Sequence, residues 1–260
     1  MRSLKDVKLF LLDMDGTFYL GDRLIDGALD FIRRVRETGR DFLFLTNNSS
    51  HNAAFYVEKL GRMGLALDRS RVMTSGEATC EQLNALYPGR RAFVLGNEFL
   101  REEFREAGIA IDDENPELVV IGFDTTLDYA KMRAVCDFVR AGLPYIATHP
   151  DFNCPTESGF MPDIGAIIAF IEASTGRRPD LVVGKPNAGI VEAALRRTGL
   201  AVGELAMVGD RLDTDIETGL RSGMTSILVM SGETTEAMLA ASNTVPDLKF
   251  GSLKDMIELL

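Results

Sequence analysis

The sequence predicts an α/β fold, a parallel sheet covered by helices into which a second, compact α/β domain is inserted. Three observations carry that prediction. Short apolar runs alternate with segments of helical periodicity, and glycines punctuate the joins. The runs are apolar at consecutive rather than alternate positions, as strands buried on both faces are. The βα rhythm breaks after Thr74 and resumes at Gly184. Repeated βα units of this kind argue for parallel strands with helices packed on both faces.

The elements follow in order. A buried strand is expected over 7–13, from Val7-Lys8-Leu9-Phe10-Leu11-Leu12. After a polar excursion around Gly21-Asp22-Arg23, a helix is expected from about Gly27, with Ala28, Phe31, Ile32 and Val35 at helical spacing. Gly39 stands where a left-handed C-cap belongs. The run Phe42-Leu43-Phe44-Leu45 reads as a second strand ending at Thr46, and Ala53, Tyr56, Val57, Leu60 and Met63 line one face of the next helix. Arg71-Val72-Met73-Thr74 reads as a third, short strand. Within the insertion, helices are expected near 77–87 and 128–141, with strands over 92–95, 118–121 and 145–148; the stretch 149–165 is expected to be a loop. A helix near 187–198, a strand ending at Gly209-Asp210, a helix near 214–222 and a strand over 226–229 complete the pattern. The expected domains are therefore 1–76 with 182–260, and 77–181.

Composition narrows the function classes. The 260 residues are 46% hydrophobic and 26% charged, an ordinary globular balance, with a formal net charge of -11. An acidic surface repels nucleic-acid backbones, so no nucleic-acid partner is expected. No apolar stretch is long enough for a bilayer, so no membrane partner is expected. Met1-Arg2-Ser3-Leu4-Lys5-Asp6 leads into the first strand without the pattern of a signal peptide. Cys80, Cys136 and Cys154 are widely spaced and form no CxxC, which suits reduced thiols in a cytoplasmic protein.

The chemistry concentrates in a few segments. Asp13-Met14-Asp15-Gly16-Thr17 places two carboxylates at i and i+2 on the end of a buried strand. Such a pair wants a cation or a proton. Gly16 lets the backbone turn sharply toward a ligand. Thr46-Asn47-Asn48-Ser49, Gly184-Lys185-Pro186 and Gly209-Asp210 end further segments, and ligands of open α/β sheets bind outside the carboxyl ends of strands. Carboxylates, hydroxyl and amide donors and one lysine suit a phosphoryl group, with an Asp nucleophile and Mg²⁺. Each piece also has a local reading. Thr46-Asn47-Asn48-Ser49 would serve as a turn and helix cap, Lys185 as a solvated cation, and Asp210, Asp213 and Asp215 as helix N-terminal acids. Taken in order, the pieces favour a shared site.

Their conjunction resembles the haloacid-dehalogenase (HAD) superfamily, and closely its NagD-like, p-nitrophenyl-phosphatase-like branch (class IIA). The resemblance spans essentially the whole chain and rests on Asp13-Met14-Asp15-Gly16-Thr17, Thr46-Asn47-Asn48-Ser49, Gly184-Lys185-Pro186-Asn187 and Gly209-Asp210-Arg211-Leu212-Asp213-Thr214-Asp215. It implies a Rossmann-like parallel sheet core with an inserted C2-type α/β cap, and a Mg²⁺-dependent phosphatase of small-molecule phosphate monoesters such as sugar phosphates or nucleoside monophosphates. Asp13 would attack phosphorus to form an aspartyl-phosphate. Asp15 would protonate the leaving oxygen and then activate water. Thr46 and Lys185 would hold phosphoryl oxygens, with Gly16, Asn47 and Asn48 at the substrate. Asp13, Asp210 and the main-chain carbonyl of Asp15 would hold Mg²⁺, with Asp215 behind them. The stretch from Thr148-His149-Pro150-Asp151 to Gly159-Phe160-Met161-Pro162-Asp163-Ile164-Gly165 resembles the family's substrate loops, which makes His149 and Asp151 candidates for substrate contact. For His149 a locally bonded loop histidine is the other reading. Many relatives carry Asn there. Caps of this branch often take part in dimers, so a homodimer stays open.

Other classes fit less well. No two glycines are separated by one residue, and Lys185 precedes a proline, so neither a Gly-x-Gly dinucleotide site nor a Walker A loop is present. A phosphomutase would share the nucleophile but must shield its phosphoenzyme from water. A non-catalytic binding protein on the same scaffold would have little use for the intact catalytic set.

Overall fold

The structure, a computed structural model, describes residues 4–156 and 159–260. The elements in chain order are β1 (Leu9–Leu12), β2 (Tyr19–Leu20), β3 (Arg23–Leu24), α1 (Ala28–Glu37), β4 (Asp41–Thr46), α2 (Ala53–Arg62), β5 (Val72–Thr74), α3 (Ser75–Leu86), β6 (Ala92–Leu95), α4 (Glu98–Glu106), β7 (Leu118–Ile121) and α5 (Tyr129–Arg140). There follow β8 (Tyr145–Ala147), β9 (Asn153–Thr156), β10 (Gly159–Pro162), α6 (Ile164–Thr175), β11 (Leu181–Val182), α7 (Ala188–Thr198), β12 (Leu205–Gly209), α8 (Glu217–Ser222), β13 (Thr225–Val229), α9 (Glu236–Ala241) and β14 (Leu248–Phe250). By internal contacts the chain divides into two units. One is Met1–Thr46, Ala54–Met73 and Ala194–Leu260, and the other is Asn47–Ala53 with Thr74–Ala193. The segments 47–53, 74–76 and 182–193 thus pack with the inserted residues, whereas motif order groups them with the core sheet.

The first unit is built on a sheet in the order β14-β13-β12-β1-β4-β5. β1 pairs in parallel with β12 on one side and β4 on the other. The chain therefore leaves β1 toward β4 and β5, and later returns to fill the other side. That reversal at β1 is the topological switch point where open α/β sheets take their ligands. β1, β12 and β13 are buried along their whole length, which explains their continuous apolar sequence. α1 turns Ala28, Phe31, Ile32 and Val35 inward, and Phe31 meets Phe10 of β1 edge-on at 5.5 Å. Gly39 has the left-handed backbone expected just after that helix.

The second unit has a four-stranded sheet, β11-β8-β7-β6, parallel throughout. Its core joins Phe93, Val119, Ile121, Val135, Tyr145 and Ile171 with their neighbours from α5 and α6. The β9–β10 antiparallel hairpin stands apart from that sheet. Part of the stretch expected to be a loop is therefore ordered as this hairpin and the start of α6. The sequence Ile164-Gly165-Ala166-Ile167-Ile168-Ala169-Phe170 is apolar on every side, so no amphipathic stripe announces that helix. Glu157 and Ser158, inside the expected loop, lie outside the described residues. Among the described residues no helix is long and apolar enough to cross a membrane.

Phe44 is fully buried, with Phe18 edge-on at 4.9 Å and Phe42 at 5.5 Å. Replacing it by alanine deletes the ring and leaves a cavity that this packed cluster closes only in part. Urea denaturation of Phe44→Ala should show a loss of about 3–5 kcal/mol. A loss below about 1 kcal/mol would mean that the cluster is not close-packed.

Candidate active site

In the first unit the strand register brings two carboxylates together. Leu12 of β1 lies beside Val208 of β12, and the amide of Asp13 continues the ladder to the Val208 carbonyl at 2.9 Å. Asp13 and Asp210 therefore leave neighbouring strand ends. A turn of π-helix over Leu212–Ile216 then brings Asp215 back to the same place. Such π turns recur at functional sites. Asp13, Asp210 and Asp215 each offer an oxygen within 4.8 Å of the other two.

Glycines make that crowding sterically feasible. A Cβ at Gly16 or Gly232 would run into the Asp210 carboxylate, and one at Gly209 into that of Asp215. Gly16 also has a positive φ of 85°, which other residues rarely adopt. Asp210 accepts bonds from the Glu233 amide at 2.6 Å and the Thr17 hydroxyl at 3.2 Å, while Asp215 accepts from the Arg211 amide at 3.2 Å. Asp213 instead faces solvent beside Arg211. Thr46, at the end of β4, is buried in the same unit.

The electrostatics show what the cluster lacks. Burial first, and then the like charges of Asp13 and Asp215, push the Asp210 carboxyl well above the usual carboxylate range; the Glu233 amide and Thr17 oppose this. Three crowded carboxylates, one of them held well above its usual pKa, fit a hard divalent cation. Asp15 keeps an open face to solvent, but protein crowds its carboxyl on the other sides. That loss of water raises its pKa against the pull of Lys59 and of the Gly21 amide. A carboxyl held in its acid form longer than usual is suited to donate a proton.

In the second unit Asn47 links two motifs. Its Oδ1 accepts from the Lys185 amide at 2.8 Å, and its Nδ2 donates to the Lys185 carbonyl at 3.0 Å and to the Asp151 carboxylate at 3.2 Å. Lys185 itself is 2% exposed. Asn48 closes a local turn by accepting from the amide and hydroxyl of Ser50. His149 is wholly buried, and its ring nitrogens face Thr148 at 3.0 Å and Asp163 at 3.1 Å. The locally bonded arrangement is thus the one the structure shows for His149. His149, Asp151 and Asp163 also form a compact His–Asp–Asp group. It does not fit a metal as well as the first cluster does. Asp163 caps α6 through the Ile164 amide at 2.6 Å, and Asp151 is engaged by Asn47.

Sequence reasoning passed over Gly232 and Ser75, and gave Gly209 and Thr148 no role of their own. Gly209 carries a signal, since it directly precedes Asp210, whereas Gly232 meets Asp210 only in three dimensions. Ser75 and Thr148 look like ordinary helix-start and strand-end hydroxyls.

Comparisons with known proteins agree along the chain. Residues 10–110 match a family model described as haloacid dehalogenase-like hydrolase, and 182–256 match one described as HAD-hydrolase-like. An acid sugar phosphatase of Staphylococcus aureus strain MRSA252 is 38% identical over 255 residues, 98% of each chain. The crystal structure of a 4-nitrophenylphosphatase from Thermotoga maritima superposes with a TM-score of 0.97 at 46% identity, covering 99% of both chains. NagD from E. coli K-12 superposes with a TM-score of 0.88 at 31% identity, over 96% of this chain and 98% of its own.

The cluster predicts a pH-dependent stability. Because the folded-state pKa of Asp210 lies above its ordinary 3.8, the folded chain holds the proton better than the unfolded one. Without a cation, stability should therefore fall as pH rises from about 4 toward neutrality. A divalent cation binds the ionised cluster, so its stabilisation should grow over the same window. Melting temperatures of the protein and of Asp210→Asn, in chelator and in excess Mg²⁺, check this. The variant should lose both the downward slope and most of the Mg²⁺ response. A Mg²⁺ effect of equal size at every pH, or retained in Asp210→Asn, would contradict the assignment.

Proposed function

The chain belongs to the haloacid dehalogenase-like hydrolases, as a phosphoric monoester hydrolase of their NagD-like branch, and we propose that it hydrolyses small-molecule phosphate monoesters through an aspartyl-phosphate on Asp13. The reading rests on one observation above all: Asp13 stands with Asp210 and Asp215 at the switch point of the sheet, two residues before a carboxyl whose pKa is raised. Sugar phosphates or nucleoside monophosphates are the proposed substrates. The acid sugar phosphatase of S. aureus supports the sugar phosphates, and the nitrophenylphosphatase of T. maritima supports a phosphate monoester in general.

In the proposed reaction an Asp13 carboxylate oxygen bonds to phosphorus as the ester bond breaks. The departing oxygen takes its proton from Asp15. The resulting Asp15 carboxylate then removes a proton from water as that water attacks phosphorus, the Asp13–phosphorus bond breaks, and inorganic phosphate leaves. Thr46 and Lys185 hold phosphoryl oxygens, with Gly16, Asn47 and Asn48 assisting; Lys185 is fixed at its main chain by Asn47. Asp13, Asp210 and the main-chain carbonyl of Asp15 would hold Mg²⁺, with Asp215 behind them. Bound there, the ion would offset the charge of the carboxylates and of the phosphoryl group. In this reading residues 1–76 and 182–260 carry the chemistry, and 77–181 select the substrate, with Asp151 a candidate contact. The protein would work in the cytoplasm, which suits Cys80, Cys136 and Cys154 as thiols rather than disulfides.

Steady-state assays on a panel of phosphate esters, including p-nitrophenyl phosphate, test the reading. Asp13→Asn should abolish turnover with the fold intact, and Asp15→Asn should slow it by about 10²–10⁴-fold. Chelation should silence the enzyme and Mg²⁺ restore it. Turnover near the native rate in Asp13→Asn, or in excess chelator, would refute it. Transfer of the phosphoryl group to a second alcohol in preference to water would mark a mutase instead.

A further inference from the structure

The imidazole of His149 sits at the meeting point of the bonds that hold the 47–49 loop. That loop is anchored twice. The Ser75 hydroxyl donates to the Asn47 carbonyl, and the Ser49 hydroxyl lies 3.0 Å from that of Thr148. Both anchoring hydroxyls converge on one atom, Nδ1 of His149, with Thr148 at 3.0 Å and Ser75 at 3.4 Å. On its other side Nε2 faces the Asp163 carboxylate at 3.1 Å, and Asp163 is fixed by capping α6. His149 is 0% exposed, so its ring meets no solvent.

The hydrogen-bond directions form a consistent set. A carboxylate only accepts, so Nε2 donates to Asp163, and in the tautomer that follows Nδ1 accepts. The Ser75 hydrogen is committed to the Asn47 carbonyl, so Thr148 donates to Nδ1. Ser49 then donates to Thr148 and itself accepts from the Phe123 amide at 2.9 Å. The backbone closes around the same ring. The Gly184 amide bonds the Thr148 carbonyl at 2.7 Å, and a Cβ on Gly184 would collide with the His149 Cβ and with Asn47. Lys185 follows directly, gripped at its amide and carbonyl by the Asn47 side chain.

We infer that His149 is a positioning residue: pinned by Asp163, it fixes the Thr148 and Ser75 hydroxyls that anchor the 47–49 loop, and through Asn47 it fixes the main chain of Lys185. The inference deepens the proposed function, because it rests on Lys185 serving the phosphoryl group. It also separates two kinds of contact that one loop might otherwise be thought to share. Asp151, partly exposed, can face a ligand, whereas His149 acts only through other residues.

Two isosteric variants divide the ring by its nitrogens. His149→Asn places an amide oxygen near Nδ1 and keeps an acceptor for Thr148. His149→Gln reaches toward Asp163 and leaves Thr148 without its acceptor. Kinetics with p-nitrophenyl phosphate and Mg²⁺, melting temperature, and hydrogen exchange at the Lys185 amide are measured on the full chain. His149→Gln should lower kcat by about 10–100-fold, as small misplacements of catalytic groups do, with KM nearly unchanged and faster exchange at Lys185. His149→Asn should restore most of both. If His149→Gln does not fold, Thr148→Val, which deletes the donor of the same hydrogen bond, should give the same kcat loss and faster exchange. Native kcat and exchange in His149→Gln, or in Thr148→Val where it stands in, would overturn the inference. So would equal kcat losses in the Asn and Gln variants that merely track melting temperature. If the native protein hydrolyses no phosphate ester, the proposed function fails, while the exchange data still report whether His149 fixes Lys185.

Discussion

The crowding of Asp13, Asp210 and Asp215 governs the first unit. Like charges in a low-dielectric setting repel, and burial adds a desolvation cost to each. A sequence drifting toward stability would separate or neutralise them. Here the surroundings hold them together: adjacent parallel strands deliver Asp13 and Asp210, and a π turn returns Asp215. Gly16, Gly209 and Gly232 leave the space that side chains would otherwise fill. The raised pKa of Asp210 is the electrostatic trace of that conflict, which a hard cation bound there would relieve.

The second unit poses a different problem, the placement of a lysine buried almost completely. A long flexible side chain is only as well placed as its backbone. The main chain at Lys185 is gripped on both sides by one carboxamide, and the loop carrying that carboxamide is tied by two hydroxyls that meet at His149. Rigid supports of this kind keep a functional group within the narrow range that chemistry tolerates.

Much of this was legible in the sequence where a residue type has a strong physical preference. The apolar runs of β1, β4 and β12 could hardly be anything but buried strands, and Gly39 marked the end of α1. The first strand proved shorter than 7–13, because Val7 closes a turn onto Leu4 and Asp13 only extends the ladder. α6 escaped notice because it is apolar on all sides, and the β9–β10 hairpin because Phe160 and Met161 are exposed and follow no alternation. Asn47 and Asn48 look alike in sequence, yet one bridges to Lys185 and the other closes its own turn. Long-range partners such as Ser75 for Asn47, or Asp163 for His149, have no local signature. They follow from the tertiary course of the chain, which single-residue preferences do not encode.

The decisive step is whether the crowded cluster makes Asp13 a nucleophile. Acid-quenching the enzyme during turnover of a phosphate ester, followed by mass spectrometry of its peptides, reads this directly. The mass of one HPO₃ group should appear on the peptide containing Asp13, should require Mg²⁺, and should vanish as substrate is exhausted. Turnover with no adduct on Asp13, or with a phosphoryl group trapped on another residue, would contradict the role assigned to that carboxylate.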